Sequence, residues 1–188
     1  MKMGIIAEDD SDVAVLREIT LALLKPHKIG FRKFVGDGCG KMRRKCSAWA
    51  RNLTHQGCPW IVVVHDLDSA DEKTLRRSLE HSVKPAGAKA AVVLIPKREI
   101  EAWLLYDGRA IASAFREVHS PRTPGNPESL LDPKKHLRDL IRKKYRKDYL
   151  NTVHNPLIAK YIDLSLLRRS TSFTPHIAFT DAVKKMLG

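Results

Sequence analysis

Four times between Gly4 and Val118 a short apolar run gives way to a stretch with helical spacing. No other feature narrows the fold as much. The runs are Gly4–Ala7, Ile29–Val35, Trp60–His65 and Ala90–Ile95. Helical patterns follow at Asp12–Lys25, Lys41–Leu53 and Ala70–Val83, then at Glu99–Leu105 with Arg109–Val118. Parallel neighbours need long crossovers, whereas hairpins need tight turns, so this alternation predicts an α/β chain. The expected core is a mostly parallel four-stranded sheet flanked by helices. Ser11 or Asp10 is placed to cap the first helix, and Pro26 to stop it. In the second helix Met42, Cys46, Trp49 and Leu53 form the inner stripe, with Lys41, Arg43, Arg44, Lys45 and Arg51 outward.

The pattern changes at Ser120–Pro133, where Pro121, Pro124, Gly125, Pro127 and Pro133 mark a loop. This divides the chain into an α/β part (1–119), a proline-rich loop (120–133) and a basic helical extension (134–188) packed on the same domain. Lys134–Tyr149 is amphipathic, with Leu137, Leu140, Ile141 and Tyr145 inward. Its outer face offers Lys134, Lys135, Arg138, Arg142, Lys143 and Arg146 to a polyanion. Shorter helices are expected at Pro156–Leu167 and Thr174–Leu187. Ser170-Thr171-Ser172, beside Arg168 and Arg169, can cap the last of these or bind a phosphate.

Carboxylates crowd the ends of the first and third runs. Glu8-Asp9-Asp10 and Asp12 follow the first, and Asp66, Asp68 and Asp71 follow the third. In a doubly wound sheet the carboxyl ends of the strands are where ligands bind. Converging acids repel one another unless a cation sits among them. Oxygen-only ligands suit Mg2+ or Mn2+. Helix caps account for Ser11, Asp71 and Glu72 more simply. After the fourth run, Glu99 and Glu101 emerge at the same edge and can complete a second ligand set, while Lys97 can offset charge on a phosphorus centre under attack.

Composition narrows the partner. The chain has 34 Lys and Arg against 21 Asp and Glu, a formal net charge of +13, which favours nucleic acid over a membrane surface. No apolar run approaches a membrane span, and no leader pattern is present, so the expected compartment is the cytoplasm. Cys39, Cys46 and Cys58 show no CxxC and read as reduced thiols. The eight histidines show no HxxxH or HxH spacing; His65 is expected in the core or behind the acids.

Glu8 with Asp12 (ExxxD), and Asp66 with Asp68 (DxD), resemble the Toprim domain of topoisomerases, primases, maturation ribonucleases and OLD-family nucleases. The likeness covers residues 1 to about 107, although Asp9 stands where a glycine usually follows the first glutamate. The segments REIEAWLLYD, DPKKHLRDLIRKKY and LLRRSTSF look like a narrower group of small Toprim-like proteins, some linked to abortive phage resistance and encoded beside an ATPase. The resemblance implies a Toprim-like fold and a Mg2+-dependent nuclease, with an antiviral role and an ATPase partner. It makes Glu8 a metal ligand or general acid/base, Asp66 and Asp68 metal ligands, and Asp12 with Glu99 or Glu101 ligands of a second site. One alternative is a non-catalytic nucleic-acid-binding subunit of a defence complex. Another is a phosphoacceptor receiver built on Asp9, Asp10 and Asp66.

Overall fold

The four apolar runs pair as one all-parallel sheet in a computed structural model that describes residues 1–36, 38–67 and 71–188. The strands are β1 (Lys2–Ala7), β2 (Gly30–Val35), β3 (Trp60–Val64) and β4 (Ala90–Leu94), in the order β2-β1-β3-β4. Helices α1 (Asp10–Leu23), α2 (Cys39–His55) and α3 (Glu72–Val83) make the crossovers. Beyond β4 come α4 (Glu101–Leu104), α5 (Gly108–Ala114), α6 (Pro133–Tyr145), α7 (Asn151–Tyr161), α8 (Leu164–Leu167) and α9 (Thr174–Leu187).

Because the side chains of a strand alternate, each face of the sheet has its own core. Ile6, Ile61, Val63 and Val93 pack with Met42, Cys46 and Leu53 of α2 and Leu75 and Leu79 of α3. Met3, Ile5, Val62, Val64 and Leu94 pack instead with Val15, Leu16 and Ile19 of α1. Leu137, Ile141, Ile158, Phe173 and Val183 from the C-terminal helices join this second core. The tail is therefore the wall of one face, with α7 against α1 and α9 against β4. Every residue of β3 is buried, which explains its unbroken apolar run, while the edge strand β2 has three exposed residues in six. Gly4 is needed where α2 crosses β1: a Cβ there would sit 2.8 Å from Leu53 Cδ1.

Several boundaries differ from the sequence expectation. The cap of α1 is Asp9, whose carboxylate accepts the Asp12 N–H at 3.0 Å, so the helix starts at Asp10. The segment expected as Arg109–Val118 ends at Ala114, and Phe115 caps it. The basic helix stops at Tyr145 because Arg146 turns left-handed (φ 56°). Pro156–Leu167 divides into α7 and α8, since Asp163 accepts from Ser165 N–H and starts a new turn. Thr174–Leu187 is helical over the expected span. The predicted start of the third helix at Ala70 lies outside the described residues. Cys46 and Cys58 are buried free thiols, and burial pushes Cys46 up to about 11. Among the described residues no helix is long and apolar enough to cross a membrane.

Candidate active site

The strand order reverses between β1 and β3, because α1 lies on one face of the sheet and α2 on the other. Neighbouring crossovers leave that seam in opposite directions and open a crevice at the carboxyl ends of the two strands. Glu8 and Asp66 stand there, each just past its strand. The Glu8 side chain ties the two ends together: its Oε1 accepts the Asp66 backbone N–H at 3.1 Å and lies 2.9 Å from His65 Nδ1. The same ring nitrogen lies 2.8 Å from the Asp66 carbonyl. Facing two acceptors, Nδ1 carries the proton and donates it. His65 is buried and holds Glu8 in place, which matches its expected position behind the acids.

Asp12 comes from the first turn of α1 and is only 5% exposed. Burial, then the charges of Asp9, Glu101 and Glu8, push its carboxyl well above the usual range. Asp66 is half-buried as a residue, but its Oδ1 is buried with no hydrogen-bond partner. Burial, followed by Asp12, Glu101, Glu8 and Glu99, raises it well above the usual range too. The carboxylates that act on Asp12 and Asp66 thus come from three strand ends and from the starts of α1 and α4. Asp68 lies outside the described residues.

The loop after β4 delivers the other two acids. Arg98 adopts a left-handed φ of 69° and turns the chain toward α4, a conformation that costs a non-glycine residue roughly 1 kcal/mol. Glu99 accepts the Lys134 N–H at 2.8 Å, at the start of α6, and burial raises its carboxyl. Glu101 is 3% exposed. Its Oε1 accepts from Asn155 Nδ2 at 3.0 Å and from the Tyr149 hydroxyl at 3.1 Å. Asn155, fully buried, also donates to Ser11 Oγ at 3.0 Å. Sequence reasoning missed this network. Its one trace is a lone amide on the inner stripe of α7, beside Ile158 and Ala159.

Lys97 is drawn away to α3, where its Nζ pairs with Glu72 at 2.9 Å, next to Arg76. Asp71 caps α3 by accepting the Thr74 N–H at 2.8 Å. Asp9 caps α1 by accepting the Asp12 N–H, and Asp10 pairs with Lys33 at the surface. Of the basic α6 residues, Lys134 is half-buried at the site, while Lys135, Arg138, Arg142, Lys143 and Arg146 are exposed. The Ser170-Thr171-Ser172 segment neither caps α9 nor stands open for phosphate. Its hydroxyls and amides clamp the Glu128 carboxylate, with Ser170 Oγ at 2.8 Å and the Thr171 amide and hydroxyl each at 3.0 Å.

The donor set suits a hard divalent cation in two respects: its ligand atoms are all oxygens, and Asp66 Oδ1 is buried with no hydrogen-bond partner. Among the described residues, no three His, Cys, Asp or Glu side chains converge closely enough to enclose an ion by themselves.

A family model described as "Domain of unknown function (DUF4276)" matches residues 8–178. No curated protein and no solved structure matches the chain.

Proposed function

The chain belongs to the DUF4276 family, and we propose that it is a divalent-metal-dependent phosphodiesterase acting on nucleic acid, a nuclease of Toprim type. The observation that carries this reading is the buried, unpartnered Asp66 Oδ1 at the β1/β3 crevice, beside the Glu8 carboxylate that accepts the Asp66 N–H, where burial and nearby carboxylates raise Asp12 and Asp66. Such an arrangement is unfavourable by itself and is relieved by a cation.

In this reading Glu8 and Asp66, with Asp68, hold Mg2+ or Mn2+, and Asp12 with Glu99 or Glu101 serve a second ion. A bound ion would lower the pKa of a water and stabilise negative charge on the phosphate. The chain's own residues position and move protons. His65 fixes the Glu8 carboxylate through its Nδ1–H, leaving Glu8 Oε2 to accept a proton from the attacking water. As oxygen adds to phosphorus, the bond to one sugar oxygen breaks and that oxygen takes up a proton from solvent water, while Glu8 returns its own proton to solvent. Asn155 and Tyr149 hold one oxygen of Glu101 and so fix where the other points.

The test is cleavage of labelled DNA and RNA in EDTA, Mg2+ and Mn2+. Wild type cuts only with a cation, and Glu8→Gln and Asp66→Asn each lose about a hundredfold or more. Cleavage in EDTA, or variants that cut like wild type, would refute the proposal. Because no three described ligands converge, one alternative merits the same assay: a non-catalytic nucleic-acid-binding subunit, which binds without forming product. The antiviral role and the ATPase partner rest on the family resemblance alone. Phage challenge of cells carrying the Glu8→Gln variant tests them.

A further inference from the structure

We infer that the outer face of α2, rather than α6, is the track for the substrate backbone, and that it takes a double helix. This rests on the nuclease reading for its ligand class, but not on catalysis.

Helix α2 carries Lys41, Arg43, Arg44, Lys45 and Arg51 and contains no acidic residue. All five are exposed. At 100° per residue, Lys41, Arg44, Lys45 and Arg51 fall on one outward stripe, opposite the buried Met42, Cys46, Ala50 and Leu53. Arg32 extends the patch from the edge strand. It pairs in register with Gly4, whose α-carbon faces Leu53, so both lie on the α2 side of the sheet.

The patch reaches the crevice. The cap of α2, Gly38, sends its N–H to the Glu8 carbonyl at 3.5 Å. The basic stripe therefore starts beside the candidate catalytic acid and runs about 15 Å away from it between residues 41 and 51. A face that merely meets solvent usually mixes its signs, as α3 does where Glu72 meets Arg76. Here Arg44, Lys45 and Arg51 carry one sign in a helix that holds no acidic residue, so an anion laid along the stripe meets attraction alone.

Helix α6 is the weaker track. Asp139 interrupts its basic face and pairs with Arg138 at 3.7 Å. Its start is covered by two carboxylates, Asp132 on the Lys135 N–H and Glu99 on the Lys134 N–H. Among the described residues, the start of α2 has no side-chain cap, and its first turn carries no acid. The aromatics beside α2 choose between strand states. Phe34 and Trp49 stack on each other, with centroids 5.4 Å apart and planes at 5°, which takes one face of each ring, and both also pack against the core on that side of the sheet. Single-strand binders present open aromatic faces to bases; this patch offers charge.

Binding is measured in EDTA by fluorescence anisotropy, with a DNA duplex, an RNA duplex and a single strand, between about 50 and 200 mM salt. The full chain is compared with Arg44→Gln/Lys45→Gln/Arg51→Gln, with Arg44→Lys/Arg51→Lys, and with Arg138→Gln/Arg142→Gln/Lys143→Gln. For duplex DNA the α2 glutamine variant should lower the slope of log K against log salt by about 2–3, at ~0.9 for each phosphate it no longer neutralises. The lysine variant should keep the slope, and the α6 variant should lose less than half as much. Preference for either duplex supports the proposal and identifies the polymer. An unchanged slope in the α2 variant, a larger loss in the α6 variant, or tighter binding to the single strand overturns it. Binding without cleavage would sink only the nuclease reading. Cleavage that survives the α2 variant with an unchanged salt slope would sink only this one.

Discussion

Replacing Asp66 by Asn should make the cation-free protein more stable. The Asp66 Oδ1 is buried without a partner, and its carboxyl is raised by burial and by Asp12, Glu101, Glu8 and Glu99. A buried polar group without a partner costs about 1–3 kcal/mol, and a charged one more. Each like charge roughly 6 Å away adds about 3 kcal/mol at an effective dielectric constant of ~20. Asparagine keeps the shape, drops the charge and supplies an N–H2 that neighbouring carboxylates can accept. Allowing for relaxation and partial protonation of the wild type, the net gain is about 2–3 kcal/mol. At this chain length that is roughly 5–10 °C in Tm. The assay is thermal unfolding at pH 8 in EDTA, repeated at pH 5 and with Mg2+. Because the folded pKa of Asp66 lies above its unfolded value, the folded state holds the proton more tightly. The resulting stability is present at low pH and lost as pH rises through the folded pKa. The advantage of the Asn variant should therefore shrink at pH 5. Mg2+ at about a hundred times its Kd should add ~2.7 kcal/mol to the wild type and less to the variant. A variant that melts below wild type at pH 8 in EDTA, or that gains as much from Mg2+, would refute the reasoning.

Three further outcomes are expected. Asn155→Ala leaves Glu101, Tyr149 and Ser11 short of a buried partner; it should cost about 2–3 kcal/mol in denaturant unfolding and, under the proposed function, slow metal-dependent cleavage, whereas Tyr149→Phe should be milder on both. His176 is fully buried, bonded to Thr20 at 2.9 Å and held down to about 3; its neutral form contributes stability above an unfolded pKa near 6.5. Up to ~1.4 kcal/mol per pH unit should be lost as pH falls from there toward 3, and His176→Gln should flatten that slope in acid titrations followed by circular dichroism. Glu128→Gln should weaken the Ser170–Ser172 clamp by about 1–3 kcal/mol; since those hydroxyls and amides lower the Glu128 pKa, the difference should vanish as pH falls through the folded value.

The sheet was legible because strands buried on both faces must be continuously apolar, as in Trp60–Val64. That Glu8, Asp12 and Asp66 lie at one edge of the sheet followed from two acidic strand ends, since parallel neighbours bring their carboxyl ends to one edge. The fate of Lys97 was not legible: its pairing with Glu72, 25 residues earlier, depends on the packed position of α3. Ser170-Thr171-Ser172 showed the same limit. Its donors suit any anion, and the one that fills them is a carboxylate 42 residues upstream of Ser170. Asn155 escaped notice because its partners, Ser11 and Glu101, come from distant parts of the chain.

The bond from Asn155 to Glu101 also sets an order of events during synthesis. The crevice is lined by residues made early, yet one of its acids is held by a helix made late, and the wall behind it waits for α9. A ribosome partway through the message therefore carries the carboxylates without the support that aligns them. If the assembled crevice cuts nucleic acid, the growing chain stays inactive until α7 has been made and Asn155 has reached Glu101.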